Sequence, residues 1–424
     1  MDANANYTAP AEVSDWRGRA LVAGLVALAL SAAVSLLLPP AGTEGLVQFF
    51  RSYLVGFFFC TGLAVGSFAW LALSHMTGGG WGFVIRRILE AATRTVPLLL
   101  LLFIPLVVAL FVHPGGQALY EWTEHEKVAA DPALRHKSRY LVEWFFILRG
   151  VFYFAVWFAI SYVMNKWSAE QDRTGDPRIR RRLQDVSGPV ILLFGLTSTF
   201  AAVDWGMSLE PHWFSTIYGL IAMAGWGLSS LAFAIMVAVA LSRREPMSSI
   251  YAPTYSHDHG KLLLTMVMLY AYFSFSQFLI TWAGNMPEET QFYLKRLRGG
   301  WQFVGLLLVL FHFALPFVLL LSRSLKRRAQ TLVRVAALML FMRVVDLVFL
   351  FAPATQHAAV TAGEHGAGVG IHAQDFVTMF LAVAGLGGVW LWYFLGELSK
   401  RPLVALRAPE LEQVLEAAAA PAHH

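Results

Sequence analysis

The chain has 424 residues, of which 57% are hydrophobic and only 14% charged, with a formal net charge of +5. Soluble domains carry about 25% charged residues, so bilayer rather than water is expected around most of this chain. Its one cysteine, Cys60, excludes an internal disulfide and a Cys-ligated iron–sulfur cluster, and no C-x-x-C-H run offers covalent haem attachment.

A spanning helix needs about 20 mostly apolar residues. That pattern predicts about ten spans, at 18–38, 46–73, 93–112, 141–165, 187–207, 213–241, 261–283, 300–322, 331–351 and 373–397. Residues 1–17 lack the apolar centre of a signal peptide, so the first run reads as a retained helix. Pro39-Pro40 ends it. Gly78-Gly79-Gly80 breaks the chain after the second run, Pro97 and Pro105 are expected to kink the third, and Asp176-Pro177 precedes the fifth. The fold expected is an all-α polytopic membrane protein. The membrane domain covers 18–400, with candidate bundles at 46–207 and 213–351, and 401–424 is a peripheral tail. Loop 113–140 has room for a short amphipathic helix, and the basic loop 166–186 is expected at lipid headgroups. Ser74-His75 after the second span and Ser256-His257-Asp258-His259-Gly260 after the sixth hint at duplication of a four-helix unit.

A pI near 9.3 would suit nucleic acid, but here the basic residues sit in loops beside apolar runs, so topology explains them and no nucleic-acid partner is expected. Arg17 and Arg19, Arg86, Arg87 and Arg94, Arg178 to Arg182, Arg243 and Arg244, Arg323 to Arg328, and Lys400 to Arg407 fall in alternate loops. The other loops hold fewer, among them Arg51, Lys137, Lys295 and Arg296. The richer set should face the cytoplasm, with both termini there.

An ionisable side chain at mid-bilayer costs roughly 2.5–3.5 kcal/mol on insertion scales. Arg343 and Asp346 lie three apart in the ninth span, on one helix face. They read either as a neutralising pair that locks packing or as a relay whose carboxylate exchanges protons. Asp204 closes the fifth span, and Glu210 and His212 follow in the turn. That group suits a proton uptake or release point, or else a turn whose side chains satisfy helix ends. Arg149 and Glu143 in the fourth span are six apart, so each looks for a partner elsewhere. His312 sits mid-span in the eighth. A lone intramembrane histidine is more often a packing residue than a ligand, and haem b would need a second axial ligand. Gln277, beside Ser274, Ser276 and Tyr270, gives the seventh span a polar stripe for interhelical partners, water or a quinone headgroup. Metal binding by His357, His365 and His372 is a weak reading. Trp16, Trp81, Trp122, Trp167, Trp213, Trp282 and Trp301 fall at span ends, as interface anchors do.

Several segments together carry a family resemblance: Ser74-His75-Met76-Thr77-Gly78-Gly79 with Trp81 and Arg86-Arg87; Trp167-Ser168 before Gln171-Asp172; Asp204-Trp205 through Pro211-His212-Trp213; His257-Asp258-His259-Gly260-Lys261; Phe275-Ser276-Gln277 through Pro287-Glu288-Glu289; and Met342-Arg343-Val344-Val345-Asp346. Over about residues 45–400 the chain resembles the ActF membrane subunit of alternative complex III, the bacterial quinol:cytochrome c (or quinol:oxidase) oxidoreductase, within the NrfD/PsrC-like membrane subunits. The resemblance implies two four-helix bundles with flanking helices in the bacterial cytoplasmic membrane and an ActC-like quinol-binding neighbour. Iron–sulfur clusters and c-type haems would lie in partner subunits, with no cofactor bound by this chain. It implies a non-catalytic subunit with possible quinone contacts and a proton path, for which Asp204, Asp346, Arg343, His312, Glu143, Arg149, Glu210 and His212 are the candidates. A scaffold without transport, or an independent secondary transporter, are the other readings. The transporter would need paired broken spans at the midplane.

Overall fold

In the computed structural model, which describes residues 7–355, 370–408 and 410–419, prolines and glycines mark most helix ends. Helix α1 (Glu12–Leu37) stops just ahead of Pro39, and α2 (Gly45–Thr77) stops at Gly78, whose φ of +67° suits only glycine well. Helices α3 (Gly80–Thr93) and α4 (Val96–Ala109) meet at a 42° bend just before Pro97, while Pro105 lies inside α4. The connection to the next long helix holds the short α5 (His125–Ala130) and α6 (Pro132–Lys137), the latter capped by Asp131. Gly175 then ends α7 (Glu143–Thr174) in the left-handed conformation. Asp176 caps α8 (Pro177–Trp205) by accepting the Arg178 N–H at 2.8 Å.

The second half runs α9 (Tyr218–Leu241), α10 (Pro253–Gly284) and the short α11 (Pro287–Arg296). Helix α12 (Trp301–Leu307) passes through π-helical turns at Leu308–Ala314 into α13 (Leu315–Leu321). Then come α14 (Arg323–Arg327), α15 (Ala329–Phe351), α16 (Ala373–Ser399) and α17 (Glu410–Ala419). Among the described residues, eight helices are long and apolar enough to cross a membrane, or nine if α3 and α4 make one span. The chain is an all-α polytopic membrane protein. The expected ninth span forms as α15, but Arg334, Arg343 and Asp346 fall within any 18 consecutive residues of it, so it is too charged to join that set.

Three expectations change. The third span begins earlier: 80–93, expected as a connector, is helical. Loop 166–186 is almost entirely helix, because α7 runs to Thr174 and α8 starts at Pro177. The tail docks: Leu403, Val404, Leu411 and Val414 are buried, Arg180 meets Glu410 at 3.3 Å, and Leu403 N–H bonds to the Tyr7 carbonyl at 2.8 Å. Both ends of the described chain thus meet at one end of the bundle, called the basic end here.

Helices α2, α3–α4, α7 and α8 pack as one group, and α9, α10, α12–α13 and α15 as a second. The two meet where α2 crosses α9, and α2 is buried along most of its length. Small residues permit that crossing: a Cβ on Gly66 would stand 2.3 Å from the Trp226 carbonyl oxygen. Helix α1 lies along α16, outside both groups, at Gly24, Gly385 and Gly388. Aromatic rings fill the first group, with Trp205 5.2 Å from Phe57 and 5.9 Å from Trp157. Of the tryptophans expected as interface anchors, Trp16 and Trp282 are exposed, but Trp122, Trp213 and Trp301 are packed inside. The large exposed apolar side chains of α1, α10 and α12–α13 leave a broad face suited to lipid.

Candidate functional site

Each four-helix group carries one buried aspartate on its last helix, joined to an arginine and a tyrosine. In the first group the aspartate is Asp204, in the last turn of α8 and fully buried. Arg149, in the second turn of α7, donates from Nε and Nη2 to its two oxygens at 2.8 and 2.9 Å. Tyr153, one turn further along α7, donates to Oδ2 at 2.7 Å. The third nitrogen of Arg149 reaches the Tyr140 carbonyl at 3.0 Å, and the guanidinium lies 3.8 Å from the Tyr140 ring centroid. A carboxylate offers about four lone-pair sites, and three are filled here. Glu143 does not join this group; it faces His125 at 3.9 Å.

In the second group, Arg343 and Asp346 pair along α15, and Tyr270 of α10 donates to Asp346 while accepting from Arg343 Nη1 at 3.0 Å. Gly225 of α9 makes room, since a Cβ there would stand 2.4 Å from the guanidinium carbon. The His312 ring lies 4.8 Å from that of Tyr270, edge on. His312 Nε2 and Arg343 Nη2 are both buried without a partner. His312 sits in the π-helical turns that interrupt α12–α13, a local distortion that recurs at functional sites.

The turn after α8 is tied down by its charges. Glu210 meets Lys295 at 3.0 Å and Arg296 at 3.2 Å, and Arg296 also donates to the carbonyls of Phe292, Phe349 and Leu350. This arrangement anchors α11 and the C-terminal end of α15 to the turn. His212 meets Asp131 at 2.6 Å on the exposed surface, and that hydrogen bond holds the Asp131 carboxyl below its ordinary range. Gln277 is spent on packing, accepting from Ser215 and donating to Thr281 at 3.2 Å.

Sequence reasoning missed a further buried carboxylate, Glu90 of α3. Arg86 Nε reaches it at 2.9 Å, Arg87 Nη1 at 2.5 Å and Ser168 Oγ at 2.6 Å. Arg86 also donates to Gln171 at 2.9 Å, and Arg87 pairs with Asp172. Beside them, Arg94 meets Glu397 at 3.0 Å and Asn165 at 3.0 Å. The spacing of Arg86 and Arg87 to Glu90, four and three residues, was the available signal. A third missed group lies between α2 and α16, where Gln48 donates to Asp375 and Thr378, each at 2.9 Å.

Asp204, Asp346 and Glu90 are not joined to one another by any hydrogen bond among the described residues. Neither do those residues contain a group of three or more His, Cys, Asp or Glu able to hold a metal. His357 and His365 lie outside the described residues. No family model matches the chain, and no curated protein matches it.

Proposed function

We propose that the chain is a non-catalytic membrane subunit of a bacterial quinol:cytochrome c (or quinol:oxidase) oxidoreductase, contributing a proton path. It would sit in the cytoplasmic membrane with its basic end inside, as the arginine and lysine bias of the loops supports. Quinol oxidation, iron–sulfur clusters and c-type haem belong in this reading to partners, including an ActC-like quinol-binding subunit. What supports membership is the motif set, and residues of distant motifs do meet in space. Arg86 bonds Ser168 at 3.0 Å, Arg87 bonds Asp172, and His259 bonds the Trp81 carbonyl at 2.9 Å.

The observation that carries the proton role is the buried Arg343–Asp346–Tyr270 group with His312 against it. Tyr270 and Asp346 share a hydrogen bond along which a proton can pass, and His312 Nε2 is an unengaged buried atom able to accept or release one. Arg343 supplies the fixed charge that balances the carboxylate. Asp204, held by Arg149 and Tyr153, is the second proposed carrier. The buried Glu210 and the exposed His212 lie beyond it in the turn after α8.

The test is Asp346→Asn in the complex purified from membranes. Protons translocated per quinol should fall while electron transfer partly survives; unchanged proton release overturns the role. A scaffolding role is favoured by one observation, the two-bond Arg149–Asp204 clamp, which suits locking α7 to α8. If Asp346→Asn and Asp204→Asn impair assembly and leave the stoichiometry intact, that reading holds. Isolation of the chain alone as an active transporter would overturn membership in the complex.

A further inference from the structure

A cleft of about 230 Å³ opens at the end of the bundle away from the termini, between the stretch leading into α7 and the turn after α8. It is far larger than the roughly 10–15 Å³ a single water needs, and smaller than the usual pocket for a whole drug-sized ligand. Leu141, Val203, Met207, Trp213 and Phe214 give it apolar walls. One cation stands out: Lys137 Nζ donates to the Pro211 carbonyl at 2.6 Å and lies 5.6 Å from the Phe214 ring centroid. Among the described residues no carboxylate pairs with Lys137; the nearby Asp131 is engaged by His212. Burial holds the Lys137 ammonium below its ordinary pKa, and an anion in the cleft would offset that desolvation.

The surface next to the cleft is apolar. Leu192, Leu196 and Phe200, each four residues from the next, are exposed along one face of α8 and lead toward Val203. The cleft lies just past the end of α8, at the level where a spanning helix meets lipid headgroups.

We propose that this cleft seats the headgroup region of an anionic phospholipid. The phosphate pairs with Lys137, and an acyl chain lies along Leu192, Leu196 and Phe200. A quinone with an isoprenoid tail would also suit the walls and the stripe, but it would leave Lys137 without a counter-ion. The inference stands independently of the proton path.

The full chain, with whatever partners it is extracted with, is delipidated in detergent and titrated by native mass spectrometry. The probes are phosphatidylglycerol, diacylglycerol, inorganic phosphate and a ubiquinone. One phosphatidylglycerol should be retained per chain, with diacylglycerol at least about tenfold weaker and inorganic phosphate not retained. Lys137→Gln should weaken phosphatidylglycerol about tenfold and leave diacylglycerol unchanged, Lys137→Arg should restore it, and Val203→Trp should block both lipids. Equal retention by wild type and Lys137→Gln overturns the proposal. So does a quinone that binds independently of Lys137 and is displaced by Val203→Trp. If Val203→Trp does not fold, the half-exposed Lys137 substitutions decide alone.

Discussion

Arg149 and Asp204 join α7 to α8 through two parallel hydrogen bonds of 2.8 and 2.9 Å, and Tyr153 adds a third to the same carboxylate. The planar guanidinium fork matches the carboxylate in a way lysine cannot. In the second group Arg343 and Asp346 share one helix, and the cross-helix tie comes from Tyr270. The same three residue types therefore do different mechanical work. The first set fastens two helices, whereas the second leaves one guanidinium nitrogen and the neighbouring histidine unengaged.

Removing one partner of a buried ion pair leaves the other charge uncompensated, at about 3–5 kcal/mol. Asp204→Asn should therefore lower the thermal unfolding midpoint in detergent sharply. Arg149→Lys should also lower it, since one ammonium cannot make both bonds. The double change Arg149→Leu with Asp204→Leu should cost less than the sum of the singles. A double-mutant cycle measures this, and strict additivity would show that the two residues do not act as a unit.

Gly66 and Gly225 are predicted to resist substitution to different degrees. At Gly66 the added methyl would meet the backbone of α9 at Trp226, which cannot move without shifting a helix. At Gly225 it would meet the Arg343 guanidinium, a side chain pinned by Asp346 and Tyr270 but still able to rotate. Overpacking of this kind costs about 1–3 kcal/mol. Gly66→Ala should be the more destabilising in thermal unfolding, and Gly225→Ala should act chiefly on proton translocation.

Apolar runs made most of the long helices legible, because only a helix satisfies its own backbone in hydrocarbon. Segment 80–93 was less so: Arg86, Arg87 and Glu90 interrupt its apolar pattern, and only their mutual pairing allows them to be buried. The ionic groups were visible one member at a time. Spacing alone revealed Arg343 with Asp346, whereas Arg149 with Asp204 is 55 residues apart and had no local signal. Tyr153 was one of thirteen tyrosines and Tyr270 was legible only as a neighbour of its span's polar stripe, until the packing placed their hydroxyls on carboxylates.

The Asp131–His212 pair is predicted to be acid-sensitive. The His212 hydrogen bond lowers the Asp131 pKa in the folded chain. A lowered folded-state value stabilises the fold above the unfolded carboxyl value, near 3.9, and that contribution is lost as pH falls through the folded value. The pair is exposed, so the effect is small. Melting of wild type and Asp131→Asn should differ at about pH 6 and converge as pH drops below about 4. A gap that persists at low pH would remove this pair as its cause.

Glu90 offers the sharpest separation of packing from function. It is fully buried and receives Arg86, Arg87 and Ser168, so it ties α3 to α7 alongside the direct Arg86–Gln171 and Arg87–Asp172 bonds. Glu90→Gln keeps the shape and some hydrogen bonds but leaves two buried guanidinium groups short of counter-charge, with Asp172 the remaining partner of Arg87. The cost should approach the roughly 3–5 kcal/mol of a broken buried pair. Ser168→Ala removes the hydroxyl's bond to the carboxylate and the bonds it accepts from Arg86 and Arg87, but no charge, and should cost about 1.5–3 kcal/mol. If Glu90 serves only to hold α3 against α7, the loss of assembled complex should follow the loss of stability across both variants. Should Glu90→Gln instead reduce proton translocation in complexes that assemble normally, Glu90 belongs to the proton path at the basic end. Measuring complex yield and protons per quinol on the same preparations distinguishes the two.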